Sequence, residues 1–185
     1  MSISQKLKKL LSKVKYELVE HRTVYTAFDK AQTLKVPEKI VGKTLVVKIN
    51  GNFALTLISA HQVLDKAKFK KTLNNWRKKL KQKPIKEINF ATENWMKKNL
   101  KGAKVGTVPP FGNLWKLPTF IEKSLFKNKK IIVNAGNYNI SIKINPNLFK
   151  KLIPGTSVEP FGGELRMVEP LSRTPLIIGN FGKPR

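Results

Sequence analysis

The sequence predicts an α+β domain built on a mostly antiparallel sheet or barrel. Three observations lead there. Segments with helical spacing of apolar residues alternate with short, β-branched runs. Turn residues join several of those runs as hairpins. The 185 residues are 41% hydrophobic, with 10 Phe and 3 Trp, which is enough for one packed core despite the charge.

Residues 3–15 open the chain as an amphipathic helix. Ile3, Leu7, Leu10, Leu11 and Val14 share one face and lysines hold the other. That stripe suits core packing; a basic amphipathic helix can also lie on a membrane surface. Residues 16–20 read as a strand leading to His21. Thr26, with Asp29 three positions on, starts a second helix that runs to about Leu34 and stops before Pro37. Residues 45–49 and 53–58 flank Asn50-Gly51-Asn52 as a hairpin. Asp65 caps a basic helix expected to reach Leu73. The densest charge run follows at 77–86. Thr92 caps a helix over about 93–100 that ends near Gly102. Strands are expected at 104–108, 115–120, 130–134 and 140–144. Asn145-Pro146 opens the last helix, with Asn at the cap and Pro at the first helical position. That helix ends near Pro154. Beyond it Pro and Gly are dense and periodicity is weak. The chain is therefore expected to divide into a domain at 1–154 and a Pro/Gly-rich tail at 155–185, which wraps the domain, docks on a partner or stays mobile.

Lys and Arg total 37 against 11 Asp and Glu, a net charge of +26. Such an excess points to a polyanionic partner. Lys outnumbers Arg, which favours phosphate neutralisation over bidentate reading of bases. Codon bias is a competing source of lysine, but it does not explain the shortage of acids. The chain has no Cys, which excludes disulfides, thiolate nucleophiles and Cys-bound zinc or iron–sulfur clusters. Its two His cannot build a His-rich metal site, and no cofactor is expected. No apolar stretch approaches the ~20 residues of a membrane span, and no apolar segment follows the N-terminal lysines. A cytoplasmic protein without a membrane partner is expected.

The usual catalytic sets are missing. There is no Walker loop, no G-x-G-x-x-G and no H-E-x-x-H. Asp29 and Asp65 are explained by helix starts. An enzyme with this composition has to work by positioning and backbone electrostatics. Lys43, beside Gly42 and directly before a strand, can reach over a sheet end to a phosphate or sugar; it is otherwise one more surface lysine. Gly106-Thr107-Val108-Pro109-Pro110-Phe111-Gly112 makes a stiff loop. Its N–H groups can face an anion or a developing oxyanion, or the loop is a plain rigid turn. Asn134-Ala135-Gly136-Asn137 either admits a ligand closely or is a tight hairpin turn. His21 can carry a proton near neutral pH, although a lone His is more often structural. His61 has no companion motif.

Several of these segments recur in a known order. Glu20-His21 with Tyr25-Thr26-Ala27 is followed by Lys43-Thr44-Leu45-Val46 and a hairpin. Then come the 60–73 stretch with Asp65, the 106–112 loop, and Ala135-Gly136 before a strand and a helix over 147–152. This order and spacing, over about residues 5–153, resembles the YbaK-like family, also called the aminoacyl-tRNA synthetase-associated or prolyl-tRNA-editing domain family. The resemblance implies a mixed, mainly antiparallel barrel-like sheet with surrounding helices. It implies hydrolysis of the ester joining a wrong amino acid to the 3′-terminal adenosine of a tRNA. A Lys at the position of Lys43 would face the terminal nucleotide, and the loop from Gly106 to Pro110 would wrap the aminoacyl group. No thiol, metal or side-chain nucleophile is required, and the neighbouring ribose hydroxyl would position or activate water. The turn at Asn137, Tyr138 and Asn139 departs from the Ser, His, Arg or Asp that relatives often carry. The lysine run at 77–86 is denser than the resemblance implies.

The expectation is therefore a trans-editing hydrolase acting on mischarged aminoacyl-tRNA, with tRNA for proline carrying a small wrong amino acid as substrate. Lys43, Gly106 and Thr107 would serve catalysis. Val108, Pro109, Pro110, Phe111 and Gly112 would shape a small pocket, with His21, Thr26, Gly136 and Asn137 as further binding candidates. Lys78, Lys79, Lys81 and Lys83 would hold the tRNA backbone. One alternative is a non-catalytic tRNA- or RNA-binding module of the same fold. Another is an interaction protein whose tail docks on an aminoacyl-tRNA synthetase or the ribosome.

Overall fold

The computed structural model describes residues 3–155, 157–159 and 162–164. The first half of the chain forms α1 (Gln5–Leu11), β1 (Tyr16–Glu20), α2 (Ala27–Leu34), β2 (Gly42–Ile49), β3 (Asn52–Ser59), β4 (Gln62–Leu64) and α3 (Lys66–Lys79). The second half adds β5 (Ile88–Phe90), α4 (Glu93–Asn99), β6 (Thr119–Glu122), β7 (Ile131–Asn134), β8 (Ile140–Ile144), α5 (Pro146–Lys151), β9 (Ser157–Glu159) and β10 (Gly162–Glu164).

Helix starts follow side-chain chemistry. Thr26, Asp65, Thr92 and Asn145 each accept hydrogen bonds from first-turn N–H groups, from Asp29, Lys68, Trp95 and the pair Asn147 and Leu148 respectively. These are the caps the sequence marks. The helix after Asp65 continues past Leu73 to Lys79, because its lysines, Trp76 and Arg77 contain no helix breaker. It stops where Lys81 turns left-handed, with φ 54°.

The central hairpin pairs β2 with β3 in one register, from Gly42 opposite Ser59 to Ile49 opposite Asn52. Asn50 and Gly51, with φ of 45° and 89°, make the turn that suits twisted strands. β5 joins the far end of β2 antiparallel, while β6 lies parallel to β3 and β9 parallel to β6. A second sheet has the antiparallel order β1-β8-β7, and a parallel bridge from Val41 to Ile132 links the two sheets. The expected mixed, mainly antiparallel arrangement is therefore present. No closed barrel forms among the described residues.

Two of the expected strands differ. Residues 104–108 form a turn, because Gly106 sits at φ +82° and the Thr107 N–H bonds back to the Lys104 carbonyl. Residues 115–120 are mostly irregular: Gly112–Trp115 is a single 3₁₀ turn, Lys116 is left-handed at φ 57°, and β6 begins only at Thr119. Strands β9 and β10 lie beyond residue 154 and pair with β6 and β4. The stretch expected to be tail thus contributes to the sheets, and its remainder falls outside the described residues.

Burial explains the layout. Val46, Leu55, Phe69, Met96 and Leu100 pack α3 and α4 on one side of the hairpin. Leu7, Leu11, Ile142 and Phe149 pack α1 and α5 against the second sheet, so the α1 stripe is a core face. A smaller cluster of Ala27, Ala31, Val41, Ala60 and Ile132 seats α2 where the two sheets meet.

Candidate active site

The junction of the two sheets carries a cavity of about 20 Å³, lined by residues that include Thr26, Lys30, Lys43, Gly106, Thr107, Asn134 and Asn137. Each arrives by local structure. Ala27 and Ala31 press α2 on the sheets, and Lys30 lies on that same stripe, leaving it only 5% exposed. Its Nζ donates to Asn134 Oδ1 at 2.6 Å, and Asn134 Nδ2 donates onward to the Gly106 carbonyl at 3.4 Å. Lys43, the second residue of β2, is also buried and donates through Nζ to the Ala60 carbonyl at 3.2 Å.

Burial pushes the Lys30 ammonium down from the ordinary lysine value to about 8. Burial does the same to Lys43, also to about 8, against an opposing pull from Glu38. Among the described residues, no Asp or Glu lines the cavity. Two ammonium groups bonded to neutral acceptors, with Glu38 acting on Lys43 alone, leave a net positive field, which suits an anion or a polarised carbonyl. The cavity is about water-sized.

The loop at 106–112 reaches the cavity only at its start. The Gly106 N–H bonds to no other group among the described residues, whereas the Thr107 N–H is taken by Lys104. Thr107 Oγ1 is taken too, donating to the Lys104 carbonyl at 2.9 Å. Of these two N–H groups, that of Gly106 is therefore the open one. Val108 and Phe111 are buried in the two large cores, and Pro109 and Pro110 are buried between them. Gly112 donates to Thr119 Oγ1, and a Cβ on it would come within 2.2 Å of the Leu117 carbonyl oxygen. None of these five residues lines the cavity; they fix the loop instead. Gly136, at φ +97°, donates to the Thr107 carbonyl and holds the loop from behind.

His21 stands off the cavity wall. Its Nε2 lies 2.9 Å from Ser141 Oγ and its Nδ1 2.8 Å from the Arg22 carbonyl, and burial holds it below the ordinary histidine value. Lys78, Lys79, Lys81 and Lys83 are exposed at the far end of α3. Tyr25, 62% exposed, meets Tyr138 at the cavity mouth with ring centroids 4.9 Å apart. Tyr138 Oη donates to the Val105 carbonyl.

Sequence reasoning missed Lys30. The signal was present: positions 27, 30, 31 and 34 form one helical stripe, and Lys30 is the charged member among Ala27, Ala31 and Leu34.

The chain is a mixed α+β domain with a small cavity, lined by two buried lysines, where its two sheets meet. Solved structures share the fold. One, described as "hypothetical protein APE2540", superimposes with a TM-score of 0.72 at 20% identity, over 86% of this chain and 100% of that one. Another, described as a "putative trans-editing enzyme for prolyl tRNA synthetase", gives a TM-score of 0.68 at 20% identity, over 88% of this chain and 99% of that one. No curated protein sequence matches. The aminoacyl-tRNA editing domain model matches residues 21–152, and the chain belongs to that family. No helix among the described residues is long and apolar enough to cross a membrane.

Proposed function

We propose that this protein is a trans-editing hydrolase that frees a small, wrongly attached amino acid from tRNA, with tRNA for proline as the substrate. The family supports tRNA editing, and the prolyl assignment follows the description of one structural relative. The observation that carries the reading is the convergence of Lys30 and Lys43 on a carboxylate-free cavity beside the open Gly106 N–H.

The reaction needs little from side chains. The terminal adenine stacks on the exposed Tyr25, beside the half-buried Tyr138. Lys43 holds the terminal nucleotide by charge. The Gly106 N–H and the Lys30 ammonium face the ester carbonyl, where negative charge develops. A water oxygen attacks the carbonyl carbon, positioned by the neighbouring ribose hydroxyl. The carbon–oxygen ester bond breaks, and the leaving ribose oxygen takes up a proton. The products are a free amino acid and a tRNA with its terminal hydroxyl restored. A cavity of about 20 Å³ favours a small aminoacyl side chain.

The test incubates purified protein with tRNA charged with Ala, Cys, Ser or Pro and follows ester loss. Faster clearance of a mischarged species than of Pro supports the reading, and clearance no faster than in buffer overturns it. The engagement of the Thr107 N–H by Lys104 favours one second reading, a tRNA-binding module without turnover. That module would bind tRNA with steep salt dependence and clear nothing. An aminoacyl-tRNA synthetase is the expected protein partner of either form.

A further inference from the structure

A second cavity lies at the other end of the β2–β3 hairpin. It measures about 150 Å³ and is walled by Phe53, Leu73, Trp76, Ile85 and Phe120, with Arg77 at its edge. It is open to solvent, and its volume matches that of a cavity able to hold a benzene-sized ring. Lys43 and Ile49 mark the two ends of β2, so the two cavities are about 20 Å apart along the strand. A single nucleotide cannot occupy both.

We propose that this groove is a second RNA site, which takes an unpaired nucleobase against Trp76 while the flanking phosphates lie on the α3 lysines. Three observations carry the inference. Trp76 is 52% exposed and Leu80 50% exposed, although every charged residue from Lys66 to Lys83 is basic. A flat ring inside a field of one sign matches a polyanion that carries flat rings. The groove is also held ready. Asn74 bonds both the N–H and the carbonyl of Ile85, and Arg77 Nε donates to the Lys83 carbonyl at 2.6 Å. Asn50 accepts from the N–H groups of Lys86 and Glu87 at the hairpin tip. The lysine run is thus pinned along the groove, so little ordering remains to oppose binding. Finally, Phe53 is stacked on Trp95 at 3.6 Å, which leaves the Trp76 side of the groove as the open stacking face.

The inference rests on the proposed function only in taking RNA as the partner; it does not require hydrolysis. Its test is a binding measurement with no charged tRNA present. A fluorescein-labelled oligoadenylate and a blunt RNA duplex of equal length are titrated with wild type, Trp76→Ala and Trp76→Phe. Trp76→Ala should weaken oligoadenylate binding by roughly 5- to 100-fold and leave duplex binding unchanged. Trp76→Phe, which keeps a ring, should stay within about threefold of wild type on the stacking account. Because Trp76 is half-exposed, circular dichroism should show both variants folded. Equal weakening on both probes would mean that Trp76 merely holds α3 in place. No weakening on either would leave the groove to a protein partner. Either result overturns the inference. Failure of the deacylation assay with these binding results intact would count against the proposed hydrolysis alone.

Discussion

At the Gly42 end of the β2–β3 hairpin, lysines are few and buried; at the Asn50 end they are many and exposed. The two regions use one residue type under opposite conditions. Lys30 and Lys43 have lost most of their water and hold their charge against neutral oxygens. The lysines of α3 keep their water and act through number. A buried ammonium carries a desolvation cost that only a ligand can offset, so it specifies what enters. An exposed one costs little and gains little singly, so it contributes reach and salt sensitivity. On the proposed function, burial, more than charge count, separates the lysines that would select a substrate from those that would attract a polymer.

The sharpest way to break this contrast is Lys43→Ala. Loss of that ammonium, at about 1.5–3 kcal/mol for a charged contact, should lower kcat/KM for ester clearance by ~10- to 100-fold, read by single-turnover deacylation, with the salt slope of tRNA binding falling by no more than ~0.9. Unchanged clearance would reduce Lys43 to a structural lysine.

Stability against pH comes next. Lys30 binds its proton less tightly folded than unfolded, with a folded value of about 8 against an ordinary 10.5. Between those values the unfolded chain holds more protons, so stability rises with pH across that window. The stability of wild type minus that of Lys30→Met, from urea unfolding, should grow by about 3 kcal/mol from pH 8 to pH 10.5. A flat difference would show that Lys30 is solvated.

Gly106→Ala is a smaller perturbation. Its φ of +82° costs an L-residue about 1–2 kcal/mol. Stability should fall by about that amount and clearance by ~10-fold as the free N–H moves. At the other end of the hairpin, Lys78→Ala should reduce the slope of log affinity against log salt by only ~0.7–0.9, with kcat unchanged. A large loss of kcat there would erase the distinction between the two regions.

Much of the fold was legible because caps and turns are local. Thr26, Asp65, Thr92, Asn145 and the Asn50-Gly51 turn each act within three residues, and a sequence shows that distance directly. The 104–108 segment misled because Val105, Thr107 and Val108 have strand chemistry, while Gly106 in the left-handed region bends the chain back on itself. The parallel pairing of β6 with β3 and of β9 with β6 was not legible. It depends on contacts between distant segments that no local pattern encodes. The site divided in the same way. Lys43 and Gly106, which line the cavity, were singled out from their neighbours in sequence. Lys30 owes its place to Asn134, and lysine on a helix is ordinarily read as solvent-facing. Val108 and Phe111 looked like pocket walls because apolar residues beside a glycine loop fit a pocket and a core equally well.

The Lys30–Asn134 bond joins positions 104 apart, and β8 must return to pair with β1. Contacts this distant close late and make folding slow. During synthesis, at about 5–20 residues per second, the cavity has no far wall until β7 has emerged, so a nascent chain carries the hairpin and its lysines well before it carries a site. On the proposed function, the exposed lysines that would attract a polymer are made first and the cavity that would act on an ester is completed last.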